Sequence, residues 1–283
     1  MNRRLKEKLY FSLFRACGAL VVIALGILLA YIIMGGIGTI SLEFLTQFPK
    51  KGMTEGGIFP AIVGTIYLCI IVILFSVPVG VLSAIYFVEY ERNNLFKKIL
   101  RVVVHNLAGV PSIVYGLLGL GLFVMALDFG FSLIAAGLTV GLLVLPLIIS
   151  ATREALLAVP NSVREASIAL GATKWQTVRH HVVPYAMSGI LTGIILSLSR
   201  AAGETAPILM TGAAYYMRHL PDSIFSQFMA LPFHLYTVAT QSSDLMATRP
   251  IQYGTAFVLL ILVIGMNLMA IILRRRFRKK YRW

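Results

Sequence analysis

Two ionisable residues stand where almost nothing else in the chain is ionisable. Arg200 and Glu204 lie four apart inside the apolar stretch from Pro184 to Gly212, a spacing that puts them on one face of a helix. A lone charge in such a stretch is expensive, so the pair is expected to face a bundle interior or a water-filled path. A guanidinium offers a planar fork of donors suited to a tetrahedral oxyanion and stays charged at any relevant pH. A carboxylate one turn away would hold that fork and neutralise part of its charge, so that an anion passes without being trapped. At 100° per residue, Gly193, Ser197, Arg200, Glu204 and Thr211 fall within about 60° of one another. This is an expected polar stripe, with Ser197, Arg200 and Glu204 as candidate pathway residues. The competing reading is structural: two buried charges that fix how the helix packs.

The other polar residues do not assemble into a reactive set. Gly171-Ala172-Thr173-Lys174 lacks the glycine spacing of a phosphate-binding loop and the hydroxyl after the lysine. The adjacent His180 and His181 point to different helix faces, and His105, His219 and His234 show no ligand spacing. Cys17 and Cys69 sit inside apolar runs and read as small buried hydrophobes. Ser112 and Tyr115 offer hydroxyls either to a solute path or to helix packing. The expectation is a non-catalytic protein with no cofactor and no metal.

The elements that must position Arg200 are apolar helices. Of the 283 residues 58% are hydrophobic and 13% charged, about half the charge of a soluble domain. A bilayer core needs roughly 20 apolar residues per helix. Six runs supply them: Ala16 to Ile40, Ile58 to Val88, Leu107 to Leu127, Phe131 to Ala151, Pro184 to Gly212 and Ile251 to Leu273. The predicted fold class is an all-α membrane protein of six transmembrane helices, the second kinked or tilted at Pro78 and Gly80. The first run is read as an uncleaved span rather than a signal peptide, because its apolar core is too long and no small-residue cleavage site follows.

The formal net charge of +14 is a matter of sidedness. Twenty of the 25 Lys and Arg fall before the first run, after the second, after the fourth and after the sixth, whereas the opposite face carries only Lys50, Lys51, Arg218 and Arg249. By the positive-inside rule both termini are expected in the cytoplasm. Basic residues distributed loop by loop do not make the contiguous surface that nucleic acid requires, although the tail at 274–283 suits anionic lipid headgroups. The expected organisation is an amino-terminal cytoplasmic segment (1–15), a membrane domain (16–273) with a cytoplasmic loop at 152–183, and the basic tail.

That loop is organised. Pro160 ends the preceding helix, Ser162 and Glu165 have capping-box spacing for a short helix, and Gly171 suits its left-handed end. Thr173 and Gln176 repeat the spacing for a second helix reaching Pro184. Val163, Ala166 and Leu170 share a predicted face. That face either plugs a groove on another protein or folds against the ends of its own bundle, while Ala213 to Pro250 on the opposite side reads as an interfacial helix or a membrane-lying loop.

Glu165-Ala166-Ser167, then Gly171 and Pro184, resembles the EAA loop of bacterial ATP-binding-cassette (ABC) importer permeases. Ser167 stands in the second Ala position, His181 where the family has Ile, and Val183 where it has Leu. Ser199-Arg200-Ala201-Ala202-Gly203-Glu204-Thr205-Ala206-Pro207 and Leu107-Ala108-Gly109-Val110-Pro111-Ser112-Ile113-Val114-Tyr115-Gly116 look like the phosphate-specific (Pst) permeases, and the six-span layout like their A-subunit class. The resemblance implies a type I (MetI-like) membrane domain in the bacterial inner membrane and a coupling helix bearing Glu165, Ala166, Leu170 and Gly171 that docks on an ATPase. It also implies partners: a second permease, two cytoplasmic ATPase subunits, and an external phosphate-binding protein. Two rivals fit the residues alone. One is a stand-alone ion-coupled oxyanion carrier in which Glu204 takes up a proton, and the other a non-transporting membrane scaffold.

Overall fold

An apolar segment surrounded by hydrocarbon has to close its own backbone hydrogen bonds, and the α-helix is the one way a single segment can do so. The computed structural model of the chain describes residues 3–90, 95–242 and 244–280. Helix α1 (Arg3–Gly36) ends in a 3₁₀ turn and leads to the short α2 (Leu42–Thr46), capped by Ser41. A small hairpin of β1 (Pro49–Lys50) and β2 (Glu55–Gly56), with Pro49 opposite Gly56, precedes α3 (Phe59–Ile85). Helix α3 continues into a wide π turn (Tyr86–Tyr90). Next come α4 (Leu95–Leu107), α5 (Ser112–Gly119) with its own π turn, α6 (Leu133–Leu157), α7 (Asn161–Ala169) and α8 (Lys174–Thr177). A third π turn (Val178–Val182) joins α8 to α9 (Val183–Gly203), and α10 (Ala206–Leu209), α11 (Leu231–Thr240) and α12 (Arg249–Lys280) complete the order.

Among the described residues five segments are long and apolar enough to span a membrane: Tyr10–Thr39, Phe59–Tyr90, Leu133–Leu157, Lys174–Gly203 and Arg249–Arg276. The third of the six predicted spans is a shorter apolar helix, Ser112–Ala126. Its run is cut because α4 stops at Leu107 and the chain turns through Gly109 and Pro111, where proline supplies no N–H to continue the helix. The predicted fifth span is displaced, running from Lys174 to Gly203. Helix α9 ends at Gly203, four residues before Pro207, whose ring would clash with that carbonyl. Helix extends past the apolar runs at both ends of the chain: α1 begins at Arg3, before Ala16, and residues 274–280 continue α12. Arg92 and Arg282, counted above among the cytoplasmic basic residues, lie outside the described residues.

The core is formed where α3, α6 and α9 cross. Helix α6 is the most enclosed, with Ala136, Val140, Val144 and Ile148 buried beside Leu68 and Val72 of α3 and Ala201 of α9. Small residues make this possible. A Cβ on Gly137 would sit 2.5 Å from Ile71, one on Gly141 2.6 Å from Phe75, and one on Gly80 2.7 Å from Ile148. On the other side of α6, a Cβ on Gly193 would fall 2.4 Å from that of Ala151, and one on Gly189 2.6 Å from that of Ala155. Helix α1 meets α12 near its carboxyl end, where Tyr31 meets Tyr253 edge to face at 5.4 Å. Most of its remaining length is exposed.

Within the segment from Ala213 to Pro250, the chain forms a helix, α11, packed against the bundle. Leu231, Phe233 and His234 are buried, and the Leu231 N–H donates to Thr65 Oγ1 at 2.9 Å. Burial pushes the His234 imidazole from 6.5 down to about 4, so the folded chain holds it neutral.

A lowered base pKa makes this histidine's stabilising contribution complete above the unfolded value and lost as pH falls from about 6.5 toward 4. The melting temperature of the purified protein is expected to fall across that window, and His234→Gln to flatten the dependence relative to wild type. Gly137→Leu is expected to destabilise by about 1–3 kcal/mol through overpacking, read as a lower melting temperature.

Candidate functional site

Residues 152–183 take their shape from local rules. Pro160 has an extended ψ of 143° and its carbonyl accepts from the Val163 N–H at 3.2 Å, so the short helix starts at Asn161. This corrects the predicted Ser162–Glu165 capping box, since Ser162 already lies within the first turn and caps nothing. At the other end Gly171 adopts φ +85°. Its N–H bonds Ile168 O at 2.9 Å and the Ala172 N–H bonds Ser167 O at 3.2 Å, a complete Schellman motif. The Thr173–Gln176 capping box is present in both directions. Helix α8 then passes without interruption through the π turn into α9. The wide turn immediately precedes Pro184, which has no N–H to give to the helix below it.

The faces of α7 differ from the predicted arrangement. Val163 points inward, onto a cluster containing Val159, Val178 and Val182, and Ser167 is buried with its hydroxyl 2.9 Å from that of Thr177. Glu165, Ala166 and Gly171 face outward, beside Ile168 at 55% exposure and Leu170 at 90%. Val163 therefore does not share a face with Ala166 and Leu170, and the helix both folds on its own bundle and presents an apolar outer face. The side between them holds an ion pair that sequence spacing did not find. Arg164 donates to Glu89 Oε1 from Nη2 at 2.7 Å and from Nε at 3.0 Å, and to the carbonyls of Val159 and Leu156 at 2.7 and 2.9 Å. No periodicity links residues 75 apart. The only sequence signal was a carboxylate at the foot of a long apolar run and a guanidinium in the facing loop.

The intramembrane pair forms, though not on one helix. Glu204 has left α9 with ψ 134°, and Arg200 Nε donates to its Oε1 at 3.2 Å. The Arg200 side chain is 40% exposed and that of Glu204 14%, and the two Nη groups of the guanidinium make no hydrogen bond among the described residues. The predicted stripe is divided. Gly193 is closed against Ala151, Ser197 is buried with an unpartnered hydroxyl, and Thr211 lies beyond the end of the helix, donating to Pro207 O. Arg200 and Glu204 remain together at the surface of the chain.

The two segments singled out in sequence, 107–116 and 199–207, come together in space. A Cβ on Gly116 would touch Ala206 O and the Pro207 Cα, both at 3.2 Å. The Tyr115 hydroxyl donates to Leu107 O at 2.9 Å across the α4–α5 break, and so braces the chain. Among the described residues no group of three or more His, Cys, Asp or Glu could hold a metal.

Residues 76–283 match the family described as the binding-protein-dependent transport system inner membrane component. The chain belongs to this family. A probable ABC transporter permease of Bacillus subtilis, YqgI, is 32% identical over 95% of both chains. The phosphate transport system permease protein PstA of Mycobacterium leprae is 34% identical over 95% of this chain and 88% of its own. Among solved structures, a bacterial alginate ABC transporter in complex with a pentasaccharide-bound periplasmic protein gives a TM-score of 0.71 at 15% identity, covering 97% of this chain and 96% of that one. The MetNI methionine ABC transporter in an inward-facing conformation gives 0.58 at 18% identity, covering 78% and 94%. The fold is thus that of a type I, MetI-like importer permease, and the protein is a non-catalytic inner membrane component of an ABC transporter.

In such a permease the 152–183 loop depends on its left-handed glycine. Gly171→Pro removes the N–H that bonds Ile168 and forbids the positive φ, a cost of about 3 kcal/mol or more. Hydrogen exchange is expected to show faster exchange of the amides from Ile168 to Thr173, with those of α6 and α9 unchanged.

Proposed function

We propose that this chain is the translocation subunit of an importer for inorganic phosphate, with Arg200 as the residue that meets the anion. The reading is carried by one observation: in the membrane part of an importer permease, a guanidinium is held by a single bond to Glu204, and its two Nη groups have no hydrogen-bond partner among the described residues. A charged fork that spends only one donor on its neighbour suits a tetrahedral oxyanion passing through, and Glu204 weakens its hold enough for release. Permeases named for phosphate transport, at 34% identity over nearly the whole chain, support this substrate over other oxyanions. Ser197, buried one turn from Arg200 with a free hydroxyl, joins the path when α9 turns away from α6.

The outward face of α7, with Glu165, Ala166, Leu170 and Gly171, is the docking site for one of two cytoplasmic ATPase subunits. Its leucine is too exposed to be left to water. A second permease completes the path, and an external phosphate-binding protein delivers the solute. Both termini and the 152–183 loop face the cytoplasm, the membrane domain occupies 16–273, and the basic tail (274–283) meets anionic lipid. Membership of a binding-protein-dependent family speaks against a carrier working alone.

A charge-assisted hydrogen bond is worth about 1.5–3 kcal/mol, so Arg200→Ala is expected to lower phosphate uptake by roughly 10- to 100-fold while the complex still assembles. Uptake at the wild-type rate in that variant removes Arg200 from the pathway. Phosphate-stimulated ATPase activity of the reconstituted complex, tested against sulfate and molybdate, checks the substrate; equal stimulation by all three contradicts a phosphate importer.

A further inference from the structure

The 152–183 loop is tied to the membrane helices twice. One tie is the chain itself, since α8 runs through its π turn into α9 and on to Arg200. The other is Arg164. Its guanidinium closes the carboxyl end of α6 by bonding the carbonyls of Leu156 and Val159, and from the same position grips Glu89 at the foot of α3 with two N–H groups. Both side chains are enclosed, at 16% and 7% exposure, so the pair is little screened by solvent. Lys174 adds a second contact to the same foot, lying 5.2 Å from the centre of the Tyr90 ring. The segment gripped in this way, Tyr86–Tyr90, is a π turn, a form with weaker local hydrogen bonding that often marks functional positions.

We propose that the Glu89–Arg164 pair is a strut that makes α3 move together with the docking loop, so that a displacement of α7 reaches both walls of the bundle core rather than α9 alone. Glu89 and Arg164 are positioning residues in this scheme, acting through α3. A guanidinium is required, because only its rigid fork serves a carboxylate and two carbonyls at once. The inference rests on the reading of this chain as an ATP-driven permease.

The test is phosphate moved per ATP hydrolysed by the reconstituted four-subunit complex carrying Glu89→Ala or Arg164→Lys. Assembly and ATP hydrolysis are expected to persist while the transport ratio falls roughly 2- to 30-fold, the range of effects along coupled networks. In a complex freed of other cysteines, Glu89→Cys with Arg164→Cys, joined by a short bifunctional thiol cross-linker, is expected to recover the ratio lost in the unlinked protein. An unchanged ratio in the single variants overturns the strut, and so does a lost ratio that the cross-linker does not restore. Should either single variant fail to assemble, the linked and unlinked cysteine pair decides alone. If the wild-type complex moves no phosphate, the substrate reading fails instead. The strut is then judged by spin labels at the far end of α3, whose ATP-dependent displacement must vanish in Glu89→Ala.

Discussion

Helices in hydrocarbon gain nothing by hiding apolar side chains from water, so their association depends on how closely their backbones approach. In this chain that approach is set by glycine. Ile71 and Phe75 of α3 occupy the notches left by Gly137 and Gly141 of α6, and Ile148 of α6 occupies the notch at Gly80 of α3. Ala151 and Ala155 meet Gly193 and Gly189 of α9 in the same manner. The three helices are thereby held at separations that any larger residue would forbid. Ala201, next to Arg200, is buried in the core that these crossings form.

Close packing also explains why α9 can carry a signal. From Lys174 to Gly203 it is one helical rod of 30 residues, about 45 Å long at 1.5 Å per residue, with the docking loop at one end and the Arg200–Glu204 pair at the other. Its single irregularity, the π turn before Pro184, lies outside the glycine crossings. Val178 and Val182 of that turn are buried in the cluster on which Val163 of α7 packs, so the turn seats the docking loop on the bundle. In the proposed strut, Arg164 ties the docking loop to the foot of α3 and to the carboxyl end of α6 together.

Local grammar made much of this legible. The Thr173–Gln176 capping box and the left-handed Gly171 depend on neighbours within three or four residues, and both stand as read. Hydropathy located the spans but overran their ends, because Gly109-Val110-Pro111 and Ala206-Pro207 are apolar enough to continue a run while their backbones cannot continue a helix. Ser162 misled for a related reason: Pro160 had already set the first turn, and a hydroxyl two residues later had no free N–H to cap. The predicted face of α7 fails because Val163 turns onto Val178 and Val182 of the following π turn, a contact that helical spacing within α7 does not encode. The Glu89–Arg164 pair was beyond any local rule, being a product of how α3 and α7 meet.

The shortness of α5 bears on how the protein is made. At 15 residues, Ser112–Ala126 measures about 22 Å against a hydrocarbon layer of about 30 Å. A newly synthesised chain that presents such a segment to the insertion machinery offers a weak signal, flanked by an amphipathic helix on one side and a tight turn on the other. Its natural route into the lipid is as the first arm of a hairpin with α6, whose 25 apolar-rich residues supply the driving force that α5 lacks.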